Sequence, residues 1–250
     1  MGHSDQQDVV IARCEQHGEF EQKRRYIDLI DKWVSTGCPQ CSQEAHEQDR
    51  QAEQRLHDER QQHRLREAGV PLRFQGKTLD SYVIEHDKQQ MAVAACRRVV
   101  DAISCEKIAP QLILIGKPGT GKSHLCCGII SALCQDYKVR RIDLPDLIRE
   151  IRATWTRDHG KREETVLDYY GSLDLLIIEE IGTGAGSDDE RAKIFQVVNR
   201  RYEAMLPTVL VSNLDMDALK KEIGERVIDR MREGSRSLVV FDWQSHRGVA

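Results

Sequence analysis

The stretch Gly116-Lys117-Pro118-Gly119-Thr120-Gly121-Lys122-Ser123 fits the phosphate-loop pattern G-x-x-x-x-G-K-[ST] at every position. Such an octapeptide works only between a buried strand and a helix, so it dictates the local fold. Both neighbours are present. The apolar run Gln111-Leu112-Ile113-Leu114-Ile115 precedes it, and the helix-like run His124-Leu125-Cys126-Cys127-Gly128-Ile129-Ile130 follows. The glycines let backbone N–H groups curl around phosphates. Lys122 can reach the β- and γ-phosphates, and the Ser123 hydroxyl can hold Mg²⁺. Gly116 to Ser123, with His124 beside them, are the expected ATP-binding residues.

Downstream, Leu175-Leu176-Ile177-Ile178-Glu179-Glu180 reads as a buried strand ending in two acids. Carboxylates at such a tip are expected to face the phosphate loop of the neighbouring strand. Glu179 can hold Mg²⁺, and Glu180 can orient and deprotonate the attacking water. The usual pair is Asp-Glu; the longer Glu179 makes slow turnover an expectation. Thr208-Val209-Leu210-Val211-Ser212-Asn213 is another strand, ending in an amide that can help place that water. In the segment Gly224 to Arg232, Arg226 and Arg230 lie four apart and share a helix face. That face can offer a guanidinium to a phosphate across a subunit boundary, or its arginines can pair with Glu225 and Asp229.

The remaining segments alternate between strand and helix. Helix is expected over 86–104, 121–135, 144–155, 190–205 and most of 216–232, and strand over 111–115, 137–142, 172–180, 208–212 and 238–241. This alternation predicts an α/β fold, a parallel sheet with helices on both faces. Between Arg152 and Tyr170, Trp155, Tyr169 and Tyr170 could stack on DNA bases while Arg157, Lys161 and Arg162 meet phosphates; core aromatics and a solvated charged loop are the other reading.

The chain has 250 residues and a net charge of −4, so it neither advertises nor excludes nucleic-acid binding. No apolar run is long enough to span a membrane, and the polar start, Gly2 to Asp8, lacks a signal-peptide core; a cytoplasmic protein is expected. In that compartment the eight cysteines are metal ligands or small buried side chains rather than disulfides. Cys96, Cys105, Cys126, Cys127 and Cys134 read as packing residues. Cys14-x-x-His17 and Cys38-x-x-Cys41 have the spacing of two zinc knuckles, a closed structural Zn²⁺ site. Phe20, Tyr26, Ile27, Leu29, Ile30 and Trp33 between them make too small a core to stand without a metal staple. Three parts are expected: a zinc-binding domain (1–45), a polar helical linker stopped by Gly69 and Pro71 (46–70) and a nucleotide-binding domain (71–250).

From Ala68-Gly69-Val70-Pro71 through the phosphate loop, Leu176 to Gly182, Asn199-Arg200-Arg201-Tyr202, Ser212-Asn213-Leu214, Gly224 to Arg232 and Val240 to Arg247, the chain resembles the DnaC-type replicative helicase loaders and their relative, the transposition ATPase IstB. Phage or prophage replication proteins are the members it resembles most. The resemblance implies an AAA+ ATPase. In it Lys122 and Ser123 serve as Walker A residues, Glu179 and Glu180 as Walker B, and Asn213 as sensor 1. Arg230 matches the arginine finger, with Arg226 as its rival, and Arg247 matches a sensor 2 arginine on the subunit's own ATP. It implies a DnaB-type hexameric helicase and single-stranded DNA as partners, self-association into a ring or spiral, and helicase contact through the first 45 residues. Two other functions compete: a transposase partner acting on duplex DNA, and a slow ATP-switched adaptor.

Overall fold

The computed structural model describes residues 7–27, 31–105, 111–154, 162–184, 186–232 and 238–245. The chain divides into two compact units, one up to Arg60 and the other from Gln61.

In the first unit, strands β1 (Gln7–Cys14), β2 (Gly18–Ile27) and β3 (Lys32–Ser35) form an antiparallel sheet in that order. The β1–β2 pairing closes at Cys14 opposite Gly18, so the turn carries His17 next to the last strand residue. Helix α1 (Pro39–Glu67) begins directly after Cys38 and holds Cys41 in its first turn. Cys38 is the only buried side chain among the described residues of this unit. A sheet this bare has almost no apolar burial to oppose chain entropy. The strands had no sequence expectation, because their alternation runs through charged residues such as Glu19, Glu21, Lys23 and Arg25 rather than through apolar ones.

The helix α1 is exposed along nearly its whole length, with Leu65 alone buried. It ends as a Schellman turn: the Gly69 N–H donates to Arg66 O at 3.0 Å and the Val70 N–H to Leu65 O at 2.9 Å. Gly69 has φ +82°, and a β-carbon there would meet the Arg141 carbonyl at 2.2 Å.

The second unit is a five-stranded parallel sheet in the order β5-β6-β7-β4-β8. Its strands are β4 (Leu112–Gly116), β5 (Val139–Asp143), β6 (Leu175–Ile181), β7 (Thr208–Ser212) and β8 (Leu238–Phe241). Alternate residues of one strand serve opposite cores. Leu112 and Leu114 pack with α2 (Asp87–Ser104) and α3 (Lys122–Leu133). Ile113 and Ile115 pack on the other face. That face is covered by α4 (Leu144–Ala153), α5 (Glu163–Gly171), α6 (Asp188–Glu203), α7 (Met216–Ile223) and α8 (Glu225–Arg232). The three inner strands, β6, β7 and β4, are buried on both faces and need continuous apolar runs, which is what their sequences show.

The expected α/β architecture is therefore present, with three differences. Gly224, at φ +89°, splits the expected helix over 216–232 into α7 and α8. The segment before Tyr170 contains α5, whose Leu167 and Tyr170 face the core; Tyr170 donates to Glu150 at 2.5 Å and is not a free stacking platform. Tyr169 and Arg162 are exposed, while Trp155, Arg157 and Lys161 lie outside the described residues. Cys96, Cys126, Cys127 and Cys134 are buried as packing residues, but Cys105, just past the end of α2, is exposed. Burial pushes the Cys96 and Cys127 thiols up to about 12, which suits inert packing. Among the described residues, no helix is long and apolar enough to cross a membrane.

Candidate nucleotide site and metal cluster

Strand β4 delivers the chain into a loop whose shape only glycine permits. Gly116, Gly119 and Gly121 have φ of +131°, +80° and +98°. A β-carbon on Gly116 would lie 2.2 Å from the Phe241 carbonyl, and one on Gly121 would lie 2.5 Å from the Tyr82 ring. The loop is braced from outside as well. Tyr82 Oη and Trp243 Nε1 both donate to the Thr120 carbonyl, at 2.9 and 3.0 Å. Thr120 Oγ1 donates to Lys117 O at 2.8 Å. These braces keep the N-terminus of α3 aimed at the cleft, where the end of a helix favours an anion.

Lys122 is 6% exposed and folds back on its own loop, donating to Gly116 O at 2.6 Å and Lys117 O at 2.8 Å. His124 contacts Ser81 Oγ at 3.0 Å and Thr78 O at 3.1 Å. A cleft of about 180 Å³ is lined by Pro118, Gly119, Gly121, Lys122, Ser123 and His124 from the loop, together with Phe74, Glu180 and Asn213.

The acids reach this cleft by a different route from the one expected. β6 does not neighbour β4; β7 lies between them. The meeting occurs nonetheless: Ser123 Oγ donates to Glu179 Oε2 at 2.8 Å. Glu179 is 1% exposed, and its Oε1 has no partner among the described residues. A buried carboxylate oxygen aimed beside a serine hydroxyl and left unpaired is the donor arrangement a hard divalent cation takes. After Ile178, β6 carries one residue more than β7 before pairing resumes at Ile181. Within that bulge Glu180 has φ +54°, a conformation that costs a non-glycine residue about 1–3 kcal/mol. The turn sends Glu180 outward to the cleft while Glu179 stays inside. Asn213, exposed just past β7, faces the same space.

Two residues that the sequence did not single out complete the acid's surroundings. Arg141 Nη2 donates to Glu179 Oε2 at 3.2 Å and to Asp143 Oδ1 at 2.9 Å. Burial works against the Arg141 charge, but Glu179 and Asp143 outweigh it and hold the guanidinium above its ordinary value. The Asp143 carboxyl is raised, chiefly by burial. Consecutive arginines inside a strand of a buried sheet were the signal available for Arg141.

Arg226 and Arg230 of α8 lie apart from this cleft, and neither lines it. Arg230 stacks over Tyr202 at 4.6 Å and donates to Asn199 at 3.2 Å, whereas Arg226 is exposed. No ion pair joins either to Glu225 or Asp229 among the described residues. Arg247 lies outside the described residues. Arg201 is fully buried and donates to the Tyr170, Leu173 and Pro207 carbonyls and to Thr208 Oγ1. Burial lowers its pKa to about 9, so it stays charged at neutral pH.

In the first unit, the ligand atoms of Cys14, His17, Cys38 and Cys41 all lie within 4.8 Å of one another. His17 Nδ1 is 3.2 Å from Cys41 Sγ, and its Nε2 meets Glu44 Oε1 at 3.0 Å. That carboxylate fixes the ring with Nδ1 inward, as an outer partner of a metal-binding histidine does. The backbone N–H groups of Gln16 and His17 pull the Cys14 thiol down to about 6. Contact with Cys14 and burial push Cys41 up to about 12, and Cys14 and Glu44 raise His17 to about 9. A divalent ion displaces protons shared in this way. The donor set fits Zn²⁺.

The parallel sheet, the braced loop and the acids two strands away define a P-loop nucleotide-binding protein of the AAA+ class. The family model described as "IstB-like ATP binding protein" matches residues 36–232. The replicative helicase loader DnaC of Buchnera aphidicola (subsp. Acyrthosiphon pisum, strain APS) is 37% identical over 184 residues, 73% of this chain and 74% of that protein. DnaC of Escherichia coli K12 is 36% identical over 181 residues, 72% of this chain and 73% of that protein. The crystal structure of the DnaC helicase loader superposes with a TM-score of 0.59 at 24% identity, covering 69% of this chain and 100% of that one. The chain belongs to this family of IstB-like ATP-binding proteins, on the side of the DnaC-type helicase loaders.

Proposed function

We propose that the protein is an ATP-dependent loader of a DnaB-type hexameric replicative helicase, which it places on single-stranded DNA at the start of replication. The observation that carries this reading is the match to replicative helicase loaders over a unit whose Ser123 already rests on Glu179. In this reading Lys122 exchanges its two loop carbonyls for the β- and γ-phosphates. Ser123 and Glu179 hold Mg²⁺, which supplies charge neutralisation on the phosphates when bound. Glu180 accepts the proton of the attacking water, and Asn213 orients that water. Arg230, presented by Tyr202 and Asn199, serves the ATP of a neighbouring subunit in a ring or spiral; Arg226 is its rival. Arg247 reads the γ-phosphate within its own subunit. Cys14, His17, Cys38 and Cys41 hold a structural Zn²⁺, and residues 1–45 grip the helicase. Residues 46–70 link them to the ATPase, residues 71–250. The extra methylene of Glu179 slows turnover.

A second reading, a transposase partner acting on duplex DNA, is compatible with the family described as "IstB-like ATP binding protein". Sizing chromatography with a hexameric DnaB-type helicase, ATP and Mg²⁺ separates the two. A joint peak is expected. Migration apart from every DnaB-type hexamer offered, by a folded and ATP-bound protein, would sink the loader reading in favour of the second.

A further inference from the structure

We propose that Arg141 is a positioning residue for the Mg²⁺ site: it locks the Glu179 carboxylate so that one oxygen serves Ser123 and the other is turned to the metal. This rests on the ATPase reading above.

Three observations converge. The first is register. Asp143 pairs with Glu179, and Arg141 pairs with Ile177 two residues earlier, so Arg141, Asp143 and Glu179 share one face of the sheet. The second is which oxygen Arg141 takes. Its Nη2 binds Oε2, the same atom that accepts from Ser123, and leaves the buried Oε1 unpaired. A guanidinium competing with the metal would sit on Oε1; one that orients the carboxylate sits where Arg141 does. The third is the charge balance. Arg141 is nearer to Asp143 (2.9 Å) than to Glu179 (3.2 Å), so an acid outside the site offsets its charge and little repulsion is left for an incoming cation.

Arg141 is itself held from behind. β5 is an edge strand, and the Arg141 N–H donates to Ala68 O at 2.8 Å. Arg140 bonds Glu67 O next to it. The end of α1 thus fixes the backbone from which Arg141 reaches inward. This arrangement accounts for the unusual glutamate: with one methylene more than aspartate, its carboxylate touches both the loop serine and an arginine on the edge strand.

The test is titration of Mg²⁺ against a fluorescent ATP analogue, alongside analogue binding in EDTA. In R141M, affinity in EDTA is expected to match that of the unaltered protein. The Mg²⁺ concentration giving half of the metal-dependent binding gain is expected to rise about 10–100-fold, the usual effect of removing an outer partner of a metal ligand. R141K keeps the charge and one donor nitrogen, and a single nitrogen, Nη2, makes both carboxylate contacts, so it is expected to restore most of the loss. Should R141M fail to fold, R141Q removes the charge and keeps a polar side chain; the same rise is expected. An unchanged Mg²⁺ half-point in a folded R141M or R141Q overturns the proposal, and so does an equal loss of affinity in EDTA, which marks a structural role. If the unaltered protein binds the analogue with no response to Mg²⁺, the ATPase reading itself falls.

Discussion

Lys122 ends on two carbonyls of its own loop, so it has an occupant before any phosphate arrives. Binding replaces two neutral acceptors with charged ones, the stronger kind of contact. K122A is therefore expected to abolish ATP binding; an unchanged affinity in isothermal titration would refute the loop assignment. Arg201 has the opposite character. It lies inside a motif that the sequence resemblance picked out, yet its donors all end on buried protein oxygens. R201M strands three carbonyls and a hydroxyl, at about 3–5 kcal/mol of stability. Urea denaturation measures this, and a loss under about 1 kcal/mol would mean that water replaces the guanidinium. The loop residues were legible because their spacing is their chemistry. Arg141, Tyr82 and Trp243 were not, because they act through contacts between segments far apart in sequence.

Among the elements, β4, β6 and β7 could be read from the chain because parallel strands buried on both faces admit little but aliphatic residues, and the edge strand β8 from its short apolar run. Their order could not. Nothing in the runs themselves says that β7 separates β6 from β4, and the expectation that the acids neighbour the loop strand failed on that point. The bulge at Glu179–Glu180 was hidden too, since it depends on the partner strand's length. Helix α8 carries its own prediction. Tyr202 and Asn199 hold Arg230 in place, while Arg226 is exposed. R230A is expected to leave ATP binding intact and to lower turnover at least tenfold, only at concentrations where the protein self-associates. Equal loss in a dilute monomer would argue against an arginine acting between subunits.

At the scale of the molecule, the two units draw stability from different sources. The second has two apolar cores, one on each face of its sheet. The first has one buried residue among those described, and that residue is a cysteine of the metal cluster. Replacing Cys38 and Cys41 by Ser is expected to release Zn²⁺ and raise amide exchange throughout residues 7–60, with ATP affinity unchanged. Metal analysis finding no zinc in the unaltered protein would refute this. The Thr120 carbonyl waits on the indole of Trp243, 123 residues further along the chain, and Gly116 lies against the backbone of β8. On the ribosome, where earlier segments fold first, the metal-stapled unit can form while the ATP site still lacks its last wall. Under the proposed function, a nascent chain would recruit its helicase through the first unit before it could spend a nucleotide, and one cut short before Trp243 would do the first without the second.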